Sequence, residues 1–168
     1  MNYQSKNDTS RDNQQERLRT ANWIVGFVDG EGCFSVSIFK NRTTKSGWQV
    51  LPEFVVTQGE KSLSAMKEIQ DFFGCGRLFI NRRHDNHREN LYRYCVRARK
   101  DLVEIIIPFF EDNPLRTAKK KDFELFKDAI RLMNDNVHFT QEGIKRLMEL
   151  KRFYSSSETT RQSPIAVG

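Results

Sequence analysis

The chain has 168 residues, 28 Lys and Arg against 22 Asp and Glu, and a formal net charge of +6. Hydrophobic residues make up 38% of it and Phe alone supplies 13, enough to build one core and to exclude wholesale disorder. The longest apolar run, residues 105–110, is interrupted by Pro108 and falls far short of the ~18 residues of a membrane span, while the polar N-terminus lacks the apolar stretch of a secretory signal.

Residues 1–16 are Asn, Gln, Ser, Asp and Arg with almost nothing to bury, which predicts a disordered polar tail. Residues 17–28 read as a helix carrying Trp23, Ile24, Phe27 and Val28, and they close in Asp29-Gly30-Glu31-Gly32. Residues 33–40 alternate: Phe34, Val36 and Ile38 share one face, Cys33, Ser35 and Ser37 the other. After a polar loop, residues 48–58 form a second strand, with Val50, Phe54 and Val56 opposite Gln49, Glu53, Val55 and Thr57. Leu63, Met66, Ile69, Phe72 and Phe73 fall at helical spacing over residues 61–73, and Gly74 stops that helix.

A third strand over residues 76–83 has Leu78 and Ile80 on the core side. A fourth over residues 91–99 alternates Tyr92, Tyr94 and Val96 with Arg93, Cys95 and Arg97. Helices follow over residues 101–110 (Asp101 as N-cap), 119–133 and 140–154, with Pro114 separating the first two. Residues 155–168 are expected to form a flexible C-terminal tail, so the folded domain spans 17–154. The order α-β-β-α-β-β-α predicts an α+β fold with a four-stranded antiparallel sheet covered by helices on one face.

Ser35, Ser37, Gln49, Glu53, Thr57, Arg77, Asn81, Arg83, Arg93, Arg97 and Arg99 fall on the opposite face. An antiparallel sheet can leave one face wet, so a solvated basic sheet is one reading. The density of arginine on strands three and four favours another. Arginine bridges phosphates and reads guanine edges bidentately, so such a sheet could lie along a DNA groove. Three cysteines without a Cys-x-x-Cys pair point to reduced thiols in an intracellular protein, in a bacterial cytoplasm or an organelle.

The most specific feature is Trp23-Ile-Val-Gly-Phe-Val-Asp-Gly-Glu-Gly32 followed by Cys33-Phe34-Ser35, which resembles the motif of the LAGLIDADG homing endonucleases. Val56-Thr57-Gln58, Phe73-Gly74-Cys75-Gly76 and the segment from Asn113-Pro114 through Lys119-Lys120-Lys121 fall where that family has comparable segments. In the motif's helix, Gly26 and Gly30 permit close approach of a second helix, so Trp23, Gly26, Phe27 and Gly30 are the expected dimer interface.

The resemblance implies that Glu31, with the Gly30 carbonyl, holds Mg²⁺, with Mn²⁺ or Ca²⁺ as alternative occupants of the same site. It implies that Gln58 positions water and that Lys119, or its neighbour Lys120 or Lys121, faces the scissile phosphate. Asp29 is a helix-end cap on the same grounds. One motif supplies one acid, so the expected form is a homodimer cutting both strands of a long, near-palindromic double-stranded DNA site and promoting mobility of a host intron. Two alternatives stay open: an intron maturase that binds intron RNA, and a DNA-binding protein of the same fold that does not cut.

Overall fold

The structure is a computed structural model, and it describes residues 5–82 and 90–159, with side chains described over 12–82 and 90–154. Helix α1 (Ser5–Glu31) runs directly into β1 (Gly32–Lys40), which turns into β2 (Trp48–Gly59). Helix α2 (Leu63–Phe73) leads to β3 (Arg77–Asn81) and β4 (Leu91–Val96). Two short helices follow, α3 (Arg99–Asp101) and α4 (Ile107–Asp112), joined by a π-helical segment (Leu102–Ile106). Helices α5 (Lys119–Asn134) and α6 (Gln141–Thr159) complete the domain. The four strands form one antiparallel sheet in the order β1-β2-β4-β3.

Alternation decides the core. Phe34, Phe54, Val56, Tyr94 and Val96 are buried on the helix-covered face, and the register puts Phe34 opposite Phe54 and Phe54 opposite Val96. Phe34 sits at the centre of an aromatic cluster, with Phe54, Phe110, Phe123 and Phe126 rings 5.0–5.5 Å away. Most of these pairs are edge-to-face, the geometry that the ring quadrupole favours. Tyr94 is fully buried and its hydroxyl donates to the Cys75 carbonyl at 3.0 Å, so it is a core residue. The turn that presents this carbonyl depends on Gly74, which caps α2 in the left-handed region, and on Gly76 (φ 75°), where a Cβ would lie 2.7 Å from the Tyr94 ring.

Several boundaries differ from the sequence expectation. The segment expected as a tail is helical from Ser5 onward; no apolar period announces it because residues 12–19 are exposed. It gains a foothold on the domain where the Arg17 guanidinium lies 5.7 Å from the Phe72 ring centre. Helix α6 likewise extends to Thr159, and residues 160–168 lie outside the described residues.

Strand β3 stops at Asn81, and Ile80, expected in the core, is 53% exposed near the free end of this edge strand. Strand β4 ends at Val96, before Arg99. The N-cap position before α3 is Ala98, not Asp101, and the π-helical turn precedes Pro108, whose ring cannot tolerate a regular carbonyl four residues back. Helix α6 is capped as its sequence suggests, with the Gly143 N–H donating to the Thr140 hydroxyl at 3.0 Å.

Candidate functional site

Helix α1 delivers three consecutive residues, Asp29, Gly30 and Glu31, to one end of the sheet. The junction into β1 is tight: a Cβ on Gly32 would lie 2.5 Å from Val28 Cγ1 and 2.8 Å from its carbonyl oxygen. Asp29 does not face outward. Its carboxylate accepts the Arg116 N–H at 2.9 Å, the Thr117 N–H at 3.2 Å and the Thr117 hydroxyl at 2.8 Å. Burial alone would push this carboxyl up, but those hydrogen bonds and the Lys119 charge outweigh it and hold it below its ordinary value. Asp29 therefore pins the loop before α5 to the end of α1 rather than capping its own helix, because a carboxylate has no N–H to offer the carbonyls at a helix C-terminus.

That pin places Lys119, the first residue of α5. Its Nζ donates to the Gly30 carbonyl at 3.1 Å. Lys120 instead lines a groove with Asn22, Gly26, Asp29 and Pro114, so Lys119 rather than Lys120 stands at the Gly30–Glu31 corner. Glu31 is exposed, and because Gly32 pairs with Val56, it stands beside the Thr57–Gln58 end of β2. Gln58 is half-buried opposite Tyr92, on the alternation of the helix-covered face. Three separate segments thus converge at one corner.

The corner offers the Glu31 carboxylate and the Gly30 carbonyl at a helix C-terminus, where carbonyls lack intrahelical partners and the helix dipole is negative. These are hard oxygen donors of the kind Mg²⁺ or Ca²⁺ takes, and an ammonium group already rests on one of them. Among the described residues no cluster of three or more His, Cys, Asp or Glu side chains could hold a metal ion. One chain contributes one acid and one carbonyl.

The outer sheet face is less uniformly open than alternation predicts. Ser37, Arg77 and Asn81 are exposed, and Thr57 is half-buried. The Ser35 hydroxyl donates to the Glu53 carbonyl at 3.5 Å, and Gln49 accepts from the Asn41 amide at 2.7 Å. Arg83 lies outside the described residues. Arg99 is not on the sheet at all: its Nη1 donates to the Met133 carbonyl at 3.0 Å, satisfying the C-terminal end of α5.

Glu53 is the largest correction. It is only 6% exposed, and its two carboxylate oxygens are taken by Arg93 Nη2 and Arg97 Nε. Burial and a hydrogen bond to this carboxylate push the neighbouring Cys95 thiol up to about 11. The sequence reading also passed over Phe79, which faces outward opposite Arg93 and is 45% exposed. Its odd position in β3, shared with Arg77 and Asn81, was the available signal.

Along α1, Trp23 (36% exposed), Gly26, Phe27 and Gly30 lie on one arc, and the Trp23 and Phe27 rings touch at 5.4 Å. A Cβ added at Gly26 or Gly30 would meet nothing within 4 Å. Among the described residues nothing requires glycine at either position.

Residues 24–130 match the LAGLIDADG endonuclease family. The chain belongs to that family. Among its relatives, the probable intron-encoded endonuclease 3 of Neurospora crassa is 32% identical over 80% of this chain and 24% of its own length. The DNA endonuclease I-CeuI of Chlamydomonas moewusii is 29% identical over 69% of this chain and 53% of itself. The homing endonuclease I-TnaI superposes with a TM-score of 0.68 at 39% identity, over 77% of this chain and 84% of that one. I-SmaMI bound to cleaved DNA gives 0.71 at 35% identity, over 78% of this chain and 42% of that one.

The chain spans about a quarter of the length of the first curated relatives it matches, at 24%, 25% and 27%. The α-β-β-α-β-β-α order with a four-stranded antiparallel sheet is thus the expected LAGLIDADG architecture. Among the described residues no helix is long and apolar enough to cross a membrane.

Proposed function

We propose that this LAGLIDADG chain is one half of a site-specific, metal-dependent homing endonuclease that hydrolyses both strands of a long double-stranded DNA site and so spreads its host intron. The observation that carries this reading is the convergence of Glu31, the Gly30 carbonyl and Lys119 at the one end of α1 whose adjoining face is bare. Relatives described as intron-encoded endonucleases and a neighbour bound to cleaved DNA support the reaction class. A neighbour bound to uncleaved DNA with calcium ions supports an oxygen-ligated divalent cation.

In this reading Glu31 and the Gly30 carbonyl hold Mg²⁺, which supplies an activated water and charge stabilisation when bound. Lys119 lies beside them and offers its ammonium to a phosphate oxygen as negative charge develops. Gln58, at the end of β2, orients water from the side of the sheet. Arg77, Arg93, Arg97, Asn81 and Ser37 face the DNA and set register and sequence preference. The arc of Trp23, Gly26, Phe27 and Gly30, on which both glycines are exposed, packs against its counterpart in a second copy of the chain, bringing a second Glu31 close to the first. Two like charges so placed are tolerable when a divalent cation lies with them.

The test is linearisation of a plasmid carrying the intron-less host site, with Mg²⁺ or Mn²⁺, by the wild type and by Glu31→Gln. Cleavage by the wild type alone is expected. If neither cuts while both bind the intron RNA, the chain is a maturase and the endonuclease reading fails. Sedimentation with the DNA site present should give two chains per site. A single chain on a full-length site would refute the homodimer.

A further inference from the structure

We propose that Glu53 is a positioning residue that dedicates Arg93 and Arg97 to reading guanine bases rather than to neutralising phosphates. The proposal rests on the sheet being the DNA-facing surface. A mobile arginine on an exposed strand can follow the DNA backbone, and its contribution is then largely independent of sequence. Base readout needs the planar guanidinium held in one orientation.

Here one carboxylate does the holding for two side chains. Glu53 lies in β2, next to β4, which carries Arg93, and Arg97 follows one residue past the end of β4. Its side chain is 8% exposed, whereas those of Arg93 and Arg97 are 40% and 47% exposed. The anion is therefore beneath the cations and out of reach of DNA.

The bonding pattern leaves useful edges outward. Arg97 gives Nε to Glu53 Oε2, which keeps both Nη groups available as a fork for guanine O6 and N7. Arg93 gives Nη2 to Glu53 Oε1 and keeps further N–H donors on Nη1 and Nε. Each oxygen of the carboxylate serves a different arginine, so neither guanidinium can rotate without breaking a charge-assisted bond. The three groups together carry one positive charge rather than two, which lowers the face's attraction for DNA of any sequence. Orientation is gained and indiscriminate affinity is given up.

Glu53→Gln tests this, with binding to the cognate site, to single-base variants of it and to scrambled DNA measured over a salt series. The wild type should discriminate about ten- to a hundredfold at two G·C pairs in each half-site. In Glu53→Gln that discrimination should fall to about threefold or less at both pairs. Binding to scrambled DNA should strengthen, and the slope of log K against log salt should steepen by about 0.9. A merely structural role predicts the opposite, a uniform weakening on all DNA.

Arg97→Lys keeps the charge on an exposed side chain but loses the fork, so it should lose one of the two G·C preferences at unchanged salt slope. Specific binding by Glu53→Gln with an unaltered base profile overturns the positioning role alone. A wild type without preference for any DNA site overturns it together with the proposed function.

Discussion

Replacing Gly26 by alanine should act in opposite directions on the single chain and on the proposed dimer. Within the chain, a Cβ at this position meets nothing within 4 Å, so the methyl enters open space on an exposed helical surface. A glycine in a helix interior costs about 1 kcal/mol relative to alanine, and Gly26→Ala recovers most of it. For a chain of this size that corresponds to a rise in Tm of about 2–4 °C. In the proposed assembly the same methyl falls between two helix backbones. Helices bearing ordinary side chains sit about 8–10 Å apart, and glycines are useful where the approach is closer.

Overpacking such a contact costs about 1–3 kcal/mol, and two-fold symmetry counts it twice. Association should therefore weaken by roughly 30-fold to 20,000-fold. The two effects separate if thermal unfolding is followed at high dilution and self-association by sedimentation over a concentration series. Gly143→Ala serves as the contrasting control: its Cβ would lie 1.8 Å from the Val137 carbonyl, so the same substitution should cost about 3 kcal/mol of fold stability. A Gly26→Ala chain that dimerises with wild-type affinity would refute the packing argument. If it lost stability when dilute, the exposure of that face would be wrong.

Lys119→Met should lower the single-turnover cleavage rate by about a hundred- to a thousandfold, with DNA affinity changed by no more than about threefold, because in the proposed reaction the ammonium acts on developing charge at one phosphate. A large loss of affinity with an unchanged rate would assign Lys119 to binding instead. Asp29→Asn should destabilise the chain by about 1 kcal/mol at pH 7 by weakening its hold on the Arg116–Thr117 loop. The Asp29 carboxyl is held below its ordinary value of 3.8, so its ionisation adds stability above that value, and this is lost as pH falls through the folded value. Urea unfolding should thus show a constant gap between wild type and Asp29→Asn from pH 7 to pH 5 that narrows below about 3.8. A gap that widens on acidification would contradict this.

Periodicity carried most of the fold. Phe34, Val36 and Ile38 at a period of two, and Met66, Ile69 and Phe73 at helical spacing, both reported faces that are packed in the structure. Where burial was absent, so was the signal. The first half of α1 exposes its side chains over residues 12–19 and is helical without an apolar stripe, so its polarity read as a tail. The arginines at 93, 97 and 99 continue one alternation, but the chain leaves the sheet after Val96 and turns Arg99 toward the end of α5. β2 runs on past this point, but β3 begins only at Arg77, opposite Cys95, and no local pattern in β4 records that.

The candidate site was legible to a different depth. The motif located Glu31 and left three lysines competing for one role. The placement of Lys119 at the Gly30 carbonyl follows from Asp29 clasping the backbone at Arg116 and Thr117, a contact 87 residues away along the chain. Glu53 was read as outward, and by alternation it is; what alternation cannot report is whether a polar side chain is available or already committed.

Commitment matters for the proposed enzyme. Nuclease action at one site must compete with about a million or more non-specific sites, so attraction to every sequence works against it. A face of unpaired arginines would maximise that attraction. Burying one carboxylate under Arg93 and Arg97 reduces it while holding the groups that can discriminate. The positive charge needed for encounter must then come from residues such as Arg77, which is exposed at the edge strand of the same sheet. Screening should consequently weaken the Arg77 contribution first as salt rises, leaving selectivity from the clamped pair largely intact.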